Sequence, residues 1–340
     1  MTTTPITLHT VTPQAGVHGG QLHLSCSGLD IDTLSICRVV FGSSATRPVL
    51  TTPTMVLGLV PESADHASIQ IAQGNTLSNA LPFVTATRLA DNLHPVASPA
   101  VDTHGNVYTT ISGTKGRQVP VSLYKITPAG EVTPFGSGIA NPTGLAFGPD
   151  GMLYVSSRHE GMVYRVDTQG QATAFATELG TATGLAFDTE GQLYVGDRRG
   201  TIFQVTRQGR PRVFARLEPS MTAYHLAFGA DETLYVSYPR PSGTDHLVRI
   251  TPDGSVHTVG SGLGRAQGLA FDTAQNVYVV AHTEGEGGVV RITPQGTMTR
   301  VIAGTGLVGL AFGKHGDLFL TDNSAVYKLA LGVEGRPLLA

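Results

Sequence analysis

Arginines, histidines and tyrosines recur at matching offsets along the chain, and these are the side chains that could do chemistry. Arg158 and His159 follow one Leu-Tyr-Val signature; Asp197 and Arg198, then Arg199, end the next. Tyr238, Arg240, His282 and Asp322 take the corresponding places further on. His94, Tyr224, His225 and Gln267 precede or open the companion Gly-Leu-Ala-Phe signature. Guanidinium groups gathered on one rim suit a carboxylate or another anion, because each fork binds two oxygens at once. A Tyr-His pair could act as an acid and base or as a ligand contact. Asp197 and Asp322 share one repeat position, where an aspartate can also brace a turn through backbone amides. The candidate binding set is therefore His94, Arg158, His159, Asp197, Arg198, Tyr224, His225, Tyr238, Gln267, His282 and Asp322. No nucleophile-elbow serine, zinc-protease helix or phosphate loop occurs in the sequence. The Pro-Asp-Gly triplets at Pro149 and Pro252 are turn signatures, since the acidic ligands of a calcium loop do not follow them.

The elements that must position these residues form a repeat. TGLAFGPDGMLYVSS begins at Thr143, TGLAFDTEGQLYVGD at Thr183 and YHLAFGADETLYVSY at Tyr224. QGLAFDTAQNVYVVA begins at Gln267, VGLAFGKHGDLFLTD at Val308, and a weaker copy at Ala97. The period is about 41 residues, that of a propeller blade. Each copy has room for four strands; in the second these are 144–147, 152–156, 162–166 and 172–176, with turns at Asp150-Gly151 and Gln169-Gly170. A lone four-stranded blade cannot cover its apolar faces, whereas six stacked radially bury them. Either the segment 86–90 or the C-terminal 335–340 could supply the closing outer strand, and the former would lock the ring.

Residues 5–85 read as short alternating strands separated by Gly and Pro turns, which predicts a β-sandwich. Cys26 and Cys37 lie on the apolar phase of two of these strands and are expected to be buried free thiols. The expected architecture is all-β: an immunoglobulin-like sandwich over 1–86 and a six-bladed propeller over 87–340.

Composition narrows the partners. The 340 residues carry a net charge of −3 with 14% charged residues, and no basic stripe for nucleic acid is visible. No apolar run is long enough to span a bilayer. The first residues lack the basic and apolar regions of a secretory signal, so the compartment is left open between a cytoplasmic protein and a processed, exported one.

Two resemblances add to this. Pro13, Gly16, Gly19, Gly20, Gly28, Phe41-Gly42 and Pro61 resemble the pattern of an IPT/TIG immunoglobulin-like domain, which implies a spacer or interaction module without catalytic residues. The tandem GLAF and LYV phrases resemble NHL repeats and gluconolactonase-like propellers over about residues 90–340. That resemblance implies metal ligands just before each inner-strand Gly-Leu. Gluconolactonase-like enzymes carry Glu, Asn and Asp there for one divalent cation, and NHL-type amidoglycolate lyases carry three His for zinc. Here the positions are Ala97, Thr143, Thr183, Tyr224, Gln267 and Val308, none of them acidic or His. The expectation is a protein without metal or cofactor that binds a protein partner or small ligand on the propeller top. The alternative is a hydrolase or lyase acting on a lactone or ester through His94, Arg158, His159, Tyr224, His225 and His282.

Overall fold

The computed structural model describes residues 5–62, 68–111, 119–243 and 245–336. All of its sheets are built from short strands, and the one helix among the described residues is the 3-10 turn Ile31–Ile36. No helix among them is long and apolar enough to cross a membrane.

The N-terminal part packs two sheets on one core. One sheet orders its strands as Thr7–Thr12, Gln21–Ser27, Met55–Leu59 and Leu50–Thr51. The other runs Leu81–Pro82, Ser68–Gln73, Cys37–Phe41 and Ser44–Thr46. Period-two alternation decides what goes inside: Leu22, Leu24 and Cys26 from one sheet meet Cys37, Val39, Phe41, Ile69 and Ile71 from the other. Both cysteines are buried and free. Burial, and then the neighbouring Cys37, pushes the Cys26 thiol up to about 11, which leaves it an inert core group at neutral pH.

The remainder forms six blades. Blade one comprises Ala100–Val101, Val107–Thr110, Leu123–Ile126 and Val132–Gly136. Blades two, three and four begin with the inner strands Pro142–Phe147, Ala182–Phe187 and His225–Phe228. Blades five and six begin with Leu269–Phe271 and Leu307–Phe312. Each inner strand contacts the next, and that of blade six contacts that of blade one, so the ring is closed. Blade six takes its outer strand, Thr87–Ala90, from the N-terminal side, paired antiparallel with Val326–Ala330. Of the other candidate, 335–340, Gly335 bridges Asp272 of blade five and the Arg336 amide donates to the Phe271 carbonyl at 2.9 Å, while 337–340 lie outside the described residues.

The repeat phrase explains the stacking. Tyr154 of blade two meets Phe187 of blade three edge-on, with ring centroids 4.9 Å apart. Tyr108 meets Phe147, Tyr194 meets Phe228, Tyr235 meets Phe271 and Tyr278 meets Phe312 in the same way. Each tyrosine of an LYV strand thus locks the phenylalanine of the following GLAF strand, a pairing worth about 0.5–1.5 kcal/mol beyond its buried area.

The sandwich is also joined to blade five. Ala15–Gly16 pairs parallel with Ala303 at the blade's outer edge, and Val84–Thr85 pairs parallel with Ala15–Gly16. Gly20 permits the approach, since a Cβ there would lie 2.6 Å from the Ala303 carbonyl. Glu286 of the blade accepts from Gln21 Nε2 at 2.6 Å, meets His23 Nε2 at 2.5 Å and pairs with Arg300.

Candidate functional site

Two cavities lie along the propeller axis and share no lining residue. The upper one, about 460 Å³, lies where the loops entering the inner strands meet the loops leaving the LYV strands. β-bulges shape it: in blades two and three the inner-strand register slips between Pro142 and Leu145 and between Ala182 and Leu185. These bulges carry Thr143 and Thr183, which line the cavity with Gln267.

Its charged lining consists of Arg158, Arg198 and Arg265, with His282 beside them and no carboxylate. The Arg198 fork is held by its own blade junction: Nη2 donates to the Met221 carbonyl at 2.6 Å and Nε to the Ser220 carbonyl at 3.3 Å. The Arg158 guanidinium is held below its usual pKa by desolvation and by the charge of Arg198. An anion entering between the two would relieve that repulsion. Nδ1 of His282 is buried without a hydrogen-bond partner among the described residues. Pro95, Val96, Met221, Leu307 and Val308 give the same cavity an apolar side.

The cavity therefore gathers Arg158, Arg198, Gln267 and His282 from the sequence-derived set. His94 stands at its edge, where Nδ1 lies 3.2 Å from the carbonyl of Asn323, itself a lining residue. His159 is exposed beside Arg158 and outside the lining. Asp197 is taken up by the loop: its Oδ1 accepts from the Thr181 and Arg199 amides at 2.8 and 3.1 Å. Asp322 accepts from the Ser324 and Ala325 amides, both at 2.7 Å, and from the Tyr327 hydroxyl at 2.9 Å. Tyr224 and His225 are adjacent in sequence but part company. The Tyr224 ring turns away from the axis to pack on Tyr238, 4.6 Å between centroids, and its hydroxyl donates to the Glu218 carbonyl. Arg240 covers Tyr238 at 5.0 Å and is neutralised by Glu218 at 3.6 Å. His225 lines the lower cavity instead.

Arg265 was not among the candidates read from sequence. It lies two residues before Gln267 in a Gly-rich loop, and its backbone sits at a φ of +49°. Only its being a cation in an inner-strand entry loop could have marked it.

The divalent cation implied by the gluconolactonase resemblance does not fit these residues. The six positions before the inner-strand Gly-Leu offer no carboxylate, and the arginines would repel a cation. Among the described residues no group of three or more His, Cys, Asp or Glu is placed to hold a metal.

Comparison with known proteins agrees with the architecture. Residues 98–240 match the SMP-30/Gluconolactonase/LRE-like region. A structural-genomics protein provisionally described as a gluconolactonase superposes with a TM-score of 0.60 at 18% identity, covering 74% of this chain and 93% of that one. An auxiliary nutrient binding protein from Bacteroides ovatus matches with a TM-score of 0.56 at 13% identity, over 96% of this chain and 98% of its own. Virginiamycin B lyase from Staphylococcus aureus, in complex with quinupristin, gives 0.52 at 11% identity over 95% and 98%. Among curated proteins none matches the sequence. The chain is thus an all-β propeller protein with a gluconolactonase-like region.

Proposed function

We propose that this protein is a non-enzymatic binding protein whose upper cavity takes a small anionic ligand, a carboxylate foremost. The carrying observation is the set Arg158, Arg198 and Arg265 around one cavity with no acid in its lining. Gln267 and His282 supply neutral hydrogen-bonding groups, and the apolar side suits a ligand with a hydrocarbon portion. The reading divides the chain at residues 86 and 87. The first unit is an immunoglobulin-like, IPT/TIG-type module that spaces or docks the propeller, and the second is an NHL-like ring. Similarity to a nutrient binding protein along nearly the whole chain supports a binding role for the pair.

Isothermal titration with a panel of mono- and dicarboxylates, with sulfate and phosphate as comparators, tests this. Saturable binding of at least one carboxylate is expected, weakened about 100-fold or more by Arg158→Ala with Arg198→Ala, since two charged contacts are lost. A panel without binding, or binding indifferent to the double substitution, defeats the reading.

A hydrolase or lyase acting on a lactone or ester is the second reading, favoured by the gluconolactonase-like match and by the unpartnered His282 Nδ1 beside the arginines. Turnover of a lactone panel that disappears in His282→Ala would favour it over binding alone.

A further inference from the structure

The lower cavity, about 260 Å³, is lined by the inner strands of all six blades. The side chains of its walls are mainly apolar: half-buried Ala146, Ala227, Ala270 and Ala311 alternate with the phenylalanines of the repeat. Four lining residues carry polar side chains: Ser98, Thr189, His225 and Arg336. Three of them are engaged. Ser98 Oγ accepts from the Leu310 amide at 3.4 Å, and Thr189 Oγ1 donates to Glu232 Oε2 at 2.8 Å. Arg336 donates to the Phe228 carbonyl at 2.5 Å and lies 3.9 Å from Glu232.

His225 differs. It occupies the position of Gly144, Gly184, Gly268 and Gly309 in other blades, where neighbouring inner strands pack so closely that a Cβ on Gly144 would sit 2.2 Å from the Thr183 carbonyl. The imidazole is 5% exposed, and its Nε2 is buried with no hydrogen-bond partner among the described residues. Burial holds it neutral, pushed down to about 4. An unpaired buried polar atom is costly unless something supplies the missing bond. A cavity walled mainly by apolar side chains and large enough for a ring-sized molecule, with an orphaned polar group beside it, has the make-up of a small-molecule site.

We propose that the lower channel is a second ligand site, taking a compact, uncharged apolar molecule with a single hydroxyl or N–H, toward which His225, whose Nε2 is closed off in the empty cavity, turns to form the missing hydrogen bond. The ligand is uncharged because the one charged lining side chain, Arg336, already faces Glu232, and an unmatched charge would lose its hydration among alanines and phenylalanines. It is compact because the cavity offers only about 260 Å³.

Indole serves as the probe, since the chain contains no Trp and the emission of indole excited beyond the tyrosine band is unobscured. Titration with the intact protein is expected to give one-to-one saturation with blue-shifted emission. Ala270→Leu and Ala146→Leu, which fill the cavity from two sides, each weaken binding about 10-fold or more. His225→Phe, lacking the polar atom, weakens it about 5–10-fold, the equivalent of one hydrogen bond. Arg158→Ala with Arg198→Ala leaves indole binding unchanged, which separates this site from the upper one. Absence of saturation in the unaltered protein overturns the proposal. So does binding lost with the arginine pair but indifferent to both leucine substitutions.

Discussion

A histidine that replaces glycine inside a channel carries a measurable signature. Desolvation lowers the pKa of His225 to about 4, against 6.5 for an unhindered imidazole. Between those values the unfolded chain takes up a proton that the folded one refuses, so acidification favours unfolding. This contribution to stability is present above about pH 6.5, is lost progressively as the pH falls toward 4, and changes no further below that. Its size is roughly 3 kcal/mol. Guanidinium unfolding at pH 7 and pH 4.5 is expected to show this loss in the unaltered protein and not in His225→Gln; equal losses in both would assign the acid sensitivity elsewhere. At this scale the sequence was partly legible. The arginines after the LYV strands stood out because the repeat aligned them, so Arg158 and Arg198 could be placed on one rim. Arg265 was hidden because a Gly-rich entry loop has no periodicity to align. The directions of Tyr224 and His225 could not be read either. Adjacent residues on a strand point to opposite faces, and which face meets the axis depends on the neighbouring blade.

At five of the six junctions between consecutive blades the recurring contact is the one that the repeat phrase encodes twice, once as tyrosine and once as phenylalanine. Tyr154 packs edge-on against Phe175 of its own blade and Phe187 of the next, and its hydroxyl donates to Asp150 at 3.1 Å. Burial, with Asp150 adding to it, pushes that phenol up to about 12 and keeps it a donor. Tyr154→Ala is expected to destabilise the protein by about 3–5 kcal/mol, the range for a large aromatic truncated in a core. Chemical denaturation measures it; a loss under 1 kcal/mol would mean the blades are held by their backbones and aliphatic residues instead. The blades were legible because this pairing recurs in the sequence itself. The junction between sandwich and blade five was not. It rests on two-residue parallel pairings at Ala15–Gly16 and Val84–Thr85, too short to leave an alternating pattern.

Over the whole molecule, ring closure depends on one short strand. Thr87–Ala90 completes blade six, with Arg88 opposite Tyr327 in the register and its guanidinium 5.9 Å from that ring. Arg88→Pro is expected to weaken this pairing, since it removes the Arg88 side chain from the Tyr327 ring and leaves no N–H at that position. Amides of Val326–Ala330 should then exchange faster than those of blade three; uniform protection would show that the ring closes without this strand. Two outer-strand candidates existed in the sequence because both carried blade-like patterns, and only the pairing of Thr87–Ala90 in blade six, with Gly335 and Arg336 set against blade five, separates them. That arrangement also sets an order of events during synthesis. Thr87–Ala90 leaves the ribosome ahead of every other strand of the propeller blades, and its partner Val326–Ala330 leaves last. The ring therefore cannot close on the growing chain until the strands of all six blades have been made. Through that interval the waiting strand is tethered directly behind a sandwich whose strands have all been made.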